Sequence, residues 1–252
     1  MDLQLRGRRA VVTGGSRGIG KVIARELAGE GVDVVIGARN EERLAATARE
    51  LGAAGDARFV PIAVDTASDA SVAAFIDAAA RTLGGIDILV NNAAQPGGAA
   101  PAARLDQFTA DDLLGDVNVK VAGYLRTARA AAPLMLAAGW GRIINIGGLA
   151  ARRSGHYVAS VRNSAVSAIT KNLADEFGGR GVNVNAIHPG ATRTERTDAE
   201  AAAKYAANAT IGRIVDATEI AWLVAFLASP KSVAINGETI AAGGGTPGVI
   251  DY

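Results

Sequence analysis

Thr13-Gly14-Gly15-Ser16-Arg17-Gly18-Ile19-Gly20 follows the apolar run Ala10-Val11-Val12 and leads directly into an amphipathic stretch, residues 19–30. A strand that turns through glycines straight into a helix is built to hold a dinucleotide. Gly14 permits the tight turn, Gly18 lets backbone approach a pyrophosphate, and Gly20 lets helix and strand pack closely. The first N–H groups of the new helix supply the anion pocket. A glycine triplet alone is a weak signal; the strand before it and the helix after it give it meaning.

The same alternation continues outward from this turn. Short β-branched apolar runs stand at 10–13, 32–36, 59–64, 86–90, 142–146, 182–187 and 238–241. Several are apolar throughout, as expected of strands covered on both faces. Helical stretches lie between and after them at 19–30, 41–51, 68–83, 110–138, 157–177 and 218–227. Strand, helix, strand at this spacing means right-handed crossovers and a parallel sheet. The expectation is an α/β protein: one Rossmann-type domain over residues 1–252, a seven-stranded, mostly parallel sheet with helices on both faces. The polar segment 193–209 is expected to be a short surface helix or a small lid over a site.

Composition narrows the chemistry. The 252 residues carry a formal net charge of +1, no Cys and two His, His156 and His188. Disulfides, thiolate zinc sites and cysteine nucleophiles are excluded, and no metal site is expected. The balanced charge argues against a nucleic-acid partner. No apolar run approaches the roughly 18 residues of a spanning helix, so no membrane partner is expected. Residues 1–9 are polar and basic with no apolar segment behind them, so the expected location is cytoplasmic.

Further motifs occur in order: Asn91-Asn92-Ala93-Ala94, Asp116-Val117-Asn118-Val119, and Asn185-Ala186-Ile187-His188-Pro189-Gly190 followed by Thr194. With the TGxxxGxG spacing of the opening loop, they make the chain resemble the short-chain dehydrogenase/reductase family over nearly its whole length. The resemblance implies a nicotinamide cofactor held by Gly14, Ser16, Arg17, Gly18, Ile19 and Gly20. It also implies contributions from Asp65 near the adenine, Asn91 near the adenosine ribose, and Pro189, Gly190 and Thr194 beyond the sixth strand. The second strand ends Ile36-Gly37-Ala38-Arg39-Asn40, with no carboxylate to accept from a ribose 2′-OH. Arg39 and Arg17 suit a 2′-phosphate by charge-assisted bonds, so NADP(H) is favoured over NAD(H). The resemblance further implies a homodimer or homotetramer through the helices at 110–138 and 157–177.

The family's proton chemistry uses an Asn, a Ser, a Tyr and a Lys four residues after the Tyr. Asn118 matches the Asn. Gly141-Arg142-Ile143-Ile144-Asn145-Ile146-Gly147-Gly148 resembles the strand that ends in the Ser, which puts Gly148 in the Ser slot. Asn163-Ser164-Ala165-Val166 resembles the helix that carries the Lys, which puts Asn163 in the Lys slot and Ala159 in the Tyr slot. Tyr157 does not repair this, because Val161 stands four residues on and a two-residue offset faces the other side of a helix. The connection from Gly148 to Ala159 is about two residues shorter than in the commonest relatives. His156, at helical spacing from Ala159 and Asn163, is the candidate substitute acid or base.

The resulting expectation is an NADP(H)-dependent oxidoreductase acting on a small-molecule carbonyl or alcohol with an incomplete tetrad. The alternative is a catalytically impaired NADP(H)-binding protein with no substrate, serving as a cofactor-responsive sensor or as the inactive subunit of an oligomer mixed with a paralogue. Losing a general acid costs about 10²–10⁴-fold, so residual turnover is compatible with the substitutions.

Overall fold

Val11, Val35, Leu89 and Ile143 pack on one side of a sheet, while Val12, Ile36, Val90 and Ile144, one residue on in each strand, pack on the other. That two-sided burial follows from the period of two along each strand, and it needs helices on both faces. Each such side chain contributes about 1.5–3 kcal/mol when fully removed from water.

The computed structural model describes residues 1–53, 57–95 and 105–247. Strands β1 (Arg9–Thr13), β2 (Asp33–Ala38), β3 (Phe59–Ala63), β4 (Ile88–Asn91), β5 (Gly141–Ile146), β6 (Val182–Pro189) and β9 (Thr239–Ala242) form the main sheet. Its order is β3-β2-β1-β4-β5-β6-β9, and all six pairings are parallel. Two short strands, β7 (Thr192–Arg193) and β8 (Val215–Asp216), pair beside it. Pro61, which has no N–H to donate, lies in the edge strand β3, where that loss is tolerated.

The helices are α1 (Gly18–Gly29), α2 (Glu41–Gly52), α3 (Asp69–Leu83), α4 (Ala110–Val117), α5 (Gly123–Ala138), α6 (Tyr157–Phe177), α7 (Ala199–Ala206) and α8 (Ala217–Ala228). The seven expected strands and the expected Rossmann-type layering are present. The helical stretch expected over 110–138 is continuous, with a π turn, Asn118–Ala122, inserted between α4 and α5. The segment 193–209 contains the short helix α7, capped by the Asp198 carboxylate on the Ala201 N–H.

The strand order reverses direction at β1 and β4, so the chain leaves β1 for one face and β4 for the other. The crevice at the carboxyl ends of the strands opens there, which is where open α/β sheets bind ligands. Among the described residues no helix is long and apolar enough to cross a membrane.

Candidate functional site

The glycine loop sits at the mouth of that crevice. Gly14 has φ +67°, in the left-handed region that glycine enters without strain. A Cβ on Gly20 would lie 2.3 Å from the Gly14 carbonyl oxygen, so helix and turn meet only because Gly20 is bare. Gly15 N–H donates to the Gly37 carbonyl at 3.2 Å, tying the loop to the end of β2. Thr47 Oγ1 donates to the Ser16 carbonyl at 3.0 Å, and Asn92 Nδ2 donates to the Thr13 and Gly14 carbonyls at 3.1 Å each.

At the start of α1, Gly18 N–H donates to Glu195 Oε1 at 3.0 Å. The Glu195 carboxylate thus sits at the N-terminal end of α1, where the helix dipole favours negative charge. Arg17 is the N-cap residue of α1, and Arg39 follows β2 directly. Because β1 and β2 pair as far as Thr13 and Gly37, the two guanidiniums leave the same end of adjacent strands. Among the described residues neither is tied by a hydrogen bond or ion pair. Ile19, half-buried, packs on the core beneath the loop.

The other cofactor-side residues fall as follows. Asp65 is exposed beyond β3, and its carboxylate accepts from the Ala67 N–H. Asn91 is fully buried; its Nδ2 donates to Asn145 Oδ1 at 2.9 Å, and its Oδ1 accepts from Thr127 Oγ1 at 2.6 Å. Its side chain joins β4 to β5 and α5, steadying the strand end beside the crevice. Pro189 closes β6, Gly190 N–H donates to the Ala242 carbonyl, and Thr194 N–H donates to Thr197 Oγ1.

Beyond β5 the structure brings Gly148 against Asn163. Ala159 and Asn163 lie one turn apart on the buried side of α6. A Cβ on Gly148 would lie 3.0 Å from Asn163 Nδ2. Into this corner the π turn delivers a residue that reading the motifs missed, Lys120, only 4% exposed. Its Nζ donates to Asn163 Oδ1 at 2.9 Å and to the Gly147 carbonyl at 3.0 Å.

Asn118, matched by identity to the active-site Asn, is elsewhere. It is exposed, and Arg126 holds both its side-chain oxygen at 2.8 Å and its carbonyl at 3.0 Å. The π turn, which shifts the helix register, turns Asn118 to the surface and Lys120 inward. The clue in the sequence was a lone lysine on the stripe Lys120, Tyr124, Thr127, Ala131, at helical spacing along a buried face.

His156 also departs from its expected place. It is the N-cap of α6 with φ −152°, so it precedes the helical stripe that Ala159 and Asn163 share. Tyr157 is half-exposed, and its ring meets Phe108 edge-on at 6.3 Å. That placement fits packing and not proton transfer. The His188 ring fills the space beside Gly147, where a Cβ would lie 2.1 Å from His188 Cδ2.

Burial governs the charges here. Lys120 is pushed down to about 7, chiefly by desolvation and then by Arg162, with partial relief from Asp116. Asp116 is already held by Arg162 at 2.7 Å, so it is not a private partner for the lysine. His188 is lowered to about 4 by burial, then by Lys120 and Arg152. Its Nε2 lies 3.4 Å from Ser167 Oγ, and its Nδ1 has no hydrogen-bond partner among the described residues. The imidazole is therefore neutral at pH 7.

A family model described as Enoyl-(Acyl carrier protein) reductase matches residues 14–246. The chain is also 36% identical to a short chain dehydrogenase of Burkholderia cenocepacia solved in complex with NADP, covering 96% of this chain and 98% of that one, with a TM-score of 0.86. This protein belongs to the short-chain dehydrogenase/reductase family. It is 34% identical over 248 residues to the 3-oxoacyl-[acyl-carrier-protein] reductase of Vibrio cholerae, covering 96% of this chain and 98% of the relative. L-Sorbose reductase from Gluconobacter frateurii, complexed with NADPH and L-sorbose, superimposes with a TM-score of 0.91 at 28% identity, over 99% of this chain and 100% of that one. As a short-chain dehydrogenase/reductase, the chain keeps the glycine loop and the crevice in the sequence order that the family uses.

Proposed function

We propose that this protein is an NADP(H)-dependent oxidoreductase that interconverts a small carbonyl compound and its alcohol. The observation that carries the reading is the pair Arg17 and Arg39, unheld by other side chains, beside a helix end that already binds a carboxylate. Arg17 and Arg39 would hold the 2′-phosphate, the N–H groups at the start of α1 the pyrophosphate, and Pro189, Gly190 and Thr194 the nicotinamide half. The reduced cofactor supplies a hydride when bound. The chain's own work is to bind, to orient and to move one proton.

Gly148, Ala159 and Asn163 take the places of the family's Ser, Tyr and Lys, so turnover is slower than the roughly 10 s⁻¹ typical of enzymes. The substrate enters beside Leu149, Gly190, Tyr205 and Ile214, which line a cavity under the lid. Exposed apolar residues on α5 and α6, Leu125, Leu134, Tyr157 and Val161, form the face through which a homodimer or homotetramer assembles.

Calorimetric titration with NADPH and NADH tests the cofactor assignment, with tighter NADPH binding expected. Cofactor oxidation with a β-ketothioester, a cyclic ketone and a ketose tests the reaction. Binding of NADPH without turnover of any carbonyl class, together with a complete paralogue in native mass spectra, would favour the inactive-subunit reading.

A further inference from the structure

Lys120 has no stabilising reason to be where it is. Its ammonium is buried at 4% exposure with two neutral acceptors, the Gly147 carbonyl and Asn163 Oδ1. The carboxylate that acts on it, Asp116, is committed to Arg162 through both oxygens at 2.7 Å. A buried cation without its own counter-ion costs several kcal/mol, and an apolar side chain of similar volume would cost less. The lysine is brought inward by a π turn, a helix defect found most often at functional sites.

The corner it reaches is the one where a proton is needed. Asn163 meets it, Gly148 adjoins Asn163 and Ala159 lies one turn before Asn163, and none of the three carries a group that titrates near neutrality. Two of the three ammonium protons are held by Gly147 and Asn163, and the third is uncommitted.

We propose that Lys120 is the proton donor of this site, held by the Gly147 carbonyl and the Asn163 amide so that its third N–H meets the substrate oxygen. The proposal rests on the carbonyl-reduction reading above. In the reduction, the carbonyl carbon gains a hydride, and with it two electrons, from the reduced nicotinamide, which is oxidised. The carbonyl oxygen takes a proton from the Lys120 ammonium as the C=O π bond breaks. The amine left behind is neutral and regains its proton from water. Alcohol oxidation runs the same transfers backwards, with neutral Lys120 taking the proton.

The charges facing Lys120 are Arg162 and His188, with Asp116 behind Arg162 and Arg152 beside His188. His188 titrates well below neutrality, so it is not the group that switches near pH 7. Reduction therefore slows as pH rises through the Lys120 transition, and oxidation quickens.

The test uses the five lysines of the chain, labelled with 13C at Cε. Lys21, Lys171, Lys204 and Lys231, none of them buried, are changed to Arg to leave Lys120 alone in the spectrum. The expected result is a single Cε resonance that titrates near neutrality without cofactor, matched by the pH profile of carbonyl reduction. Lys120→Met and Lys120→Arg are both expected to lower kcat about 100-fold or more while leaving NADPH affinity within about twofold. A Lys120 resonance that titrates in the ordinary lysine range, or full kcat in Lys120→Arg, overturns the assignment. Absence of turnover across the carbonyl panel instead defeats the reductase reading, and the lysine spectrum distinguishes the two failures.

Discussion

Installing the family's usual residues by Gly148→Ser, Ala159→Tyr and Asn163→Lys would bring a second ammonium into a corner that already holds one. Lys120 Nζ is 2.9 Å from Asn163 Oδ1, so a lysine side chain at position 163 ends beside it. Two unit charges about 4 Å apart repel by about 4 kcal/mol at an effective dielectric constant near 20. That equals about three pKa units, so at neutral pH one amine must give up its proton or the fold must bear the repulsion. In a domain of this size the loss lowers Tm by about 8–16 °C. Adding Lys120→Asn removes the conflict. A Cβ at position 148 lies 3.0 Å from Asn163 Nδ2, a contact that a flexible lysine at 163 can relieve. Thermal unfolding and NADPH oxidation with the carbonyl panel are the assays. The fourfold variant is expected to melt above the threefold one and to turn over about 100-fold faster. A threefold variant that equals it in both would refute the placement of Lys120 in this corner.

Arg39→Asp is expected to weaken NADPH by about 10–100-fold and to spare NADH, since a charge-assisted bond is worth about 1.5–3 kcal/mol; calorimetry with both cofactors checks this. Glu195→Gln should tighten NADPH by about 3–10-fold, because the carboxylate on Gly18 N–H competes with the pyrophosphate, and unchanged affinity would remove Glu195 from the anion site. The lowered value of His188, about 4, means that the unfolded chain binds more protons between that pH and about 6.5. Stability should therefore fall by roughly 3 kcal/mol as pH drops through that window. Urea midpoints that fall equally in wild type and His188→Gln would contradict it. Gly147→Ala should cost about 1–3 kcal/mol by overpacking against His188, read as a lowered urea midpoint.

The strands were legible because both-face burial writes a continuous apolar run, as in Val34-Val35-Ile36 and Ile143-Ile144. The glycine loop was legible because the positive φ of Gly14 and the contact of Gly20 with the Gly14 carbonyl both lie within one turn and one helix start. Lys120 was not, for a register reason. Matching Asn118 by identity assumes an unbroken helix, whereas the π turn places Lys120 inward and hands Asn118 to Arg126. For Asn91 the motif gave its place on a strand end but not the neighbours, Asn145 and Thr127, that its amide joins. Glu195 on the glycine loop joins residues far apart in sequence, and no local pattern announces such a contact.

The most direct measurement of the central claim follows the hydride itself. NADPH deuterated at the transferring position of its nicotinamide is incubated with the protein and each carbonyl class, and the alcohol products are examined by mass spectrometry. An NADP(H)-dependent oxidoreductase places deuterium on the carbinol carbon of at least one product, at a rate that falls as pH rises through neutrality. Tight NADPH binding with no deuterated alcohol from any class would contradict the account.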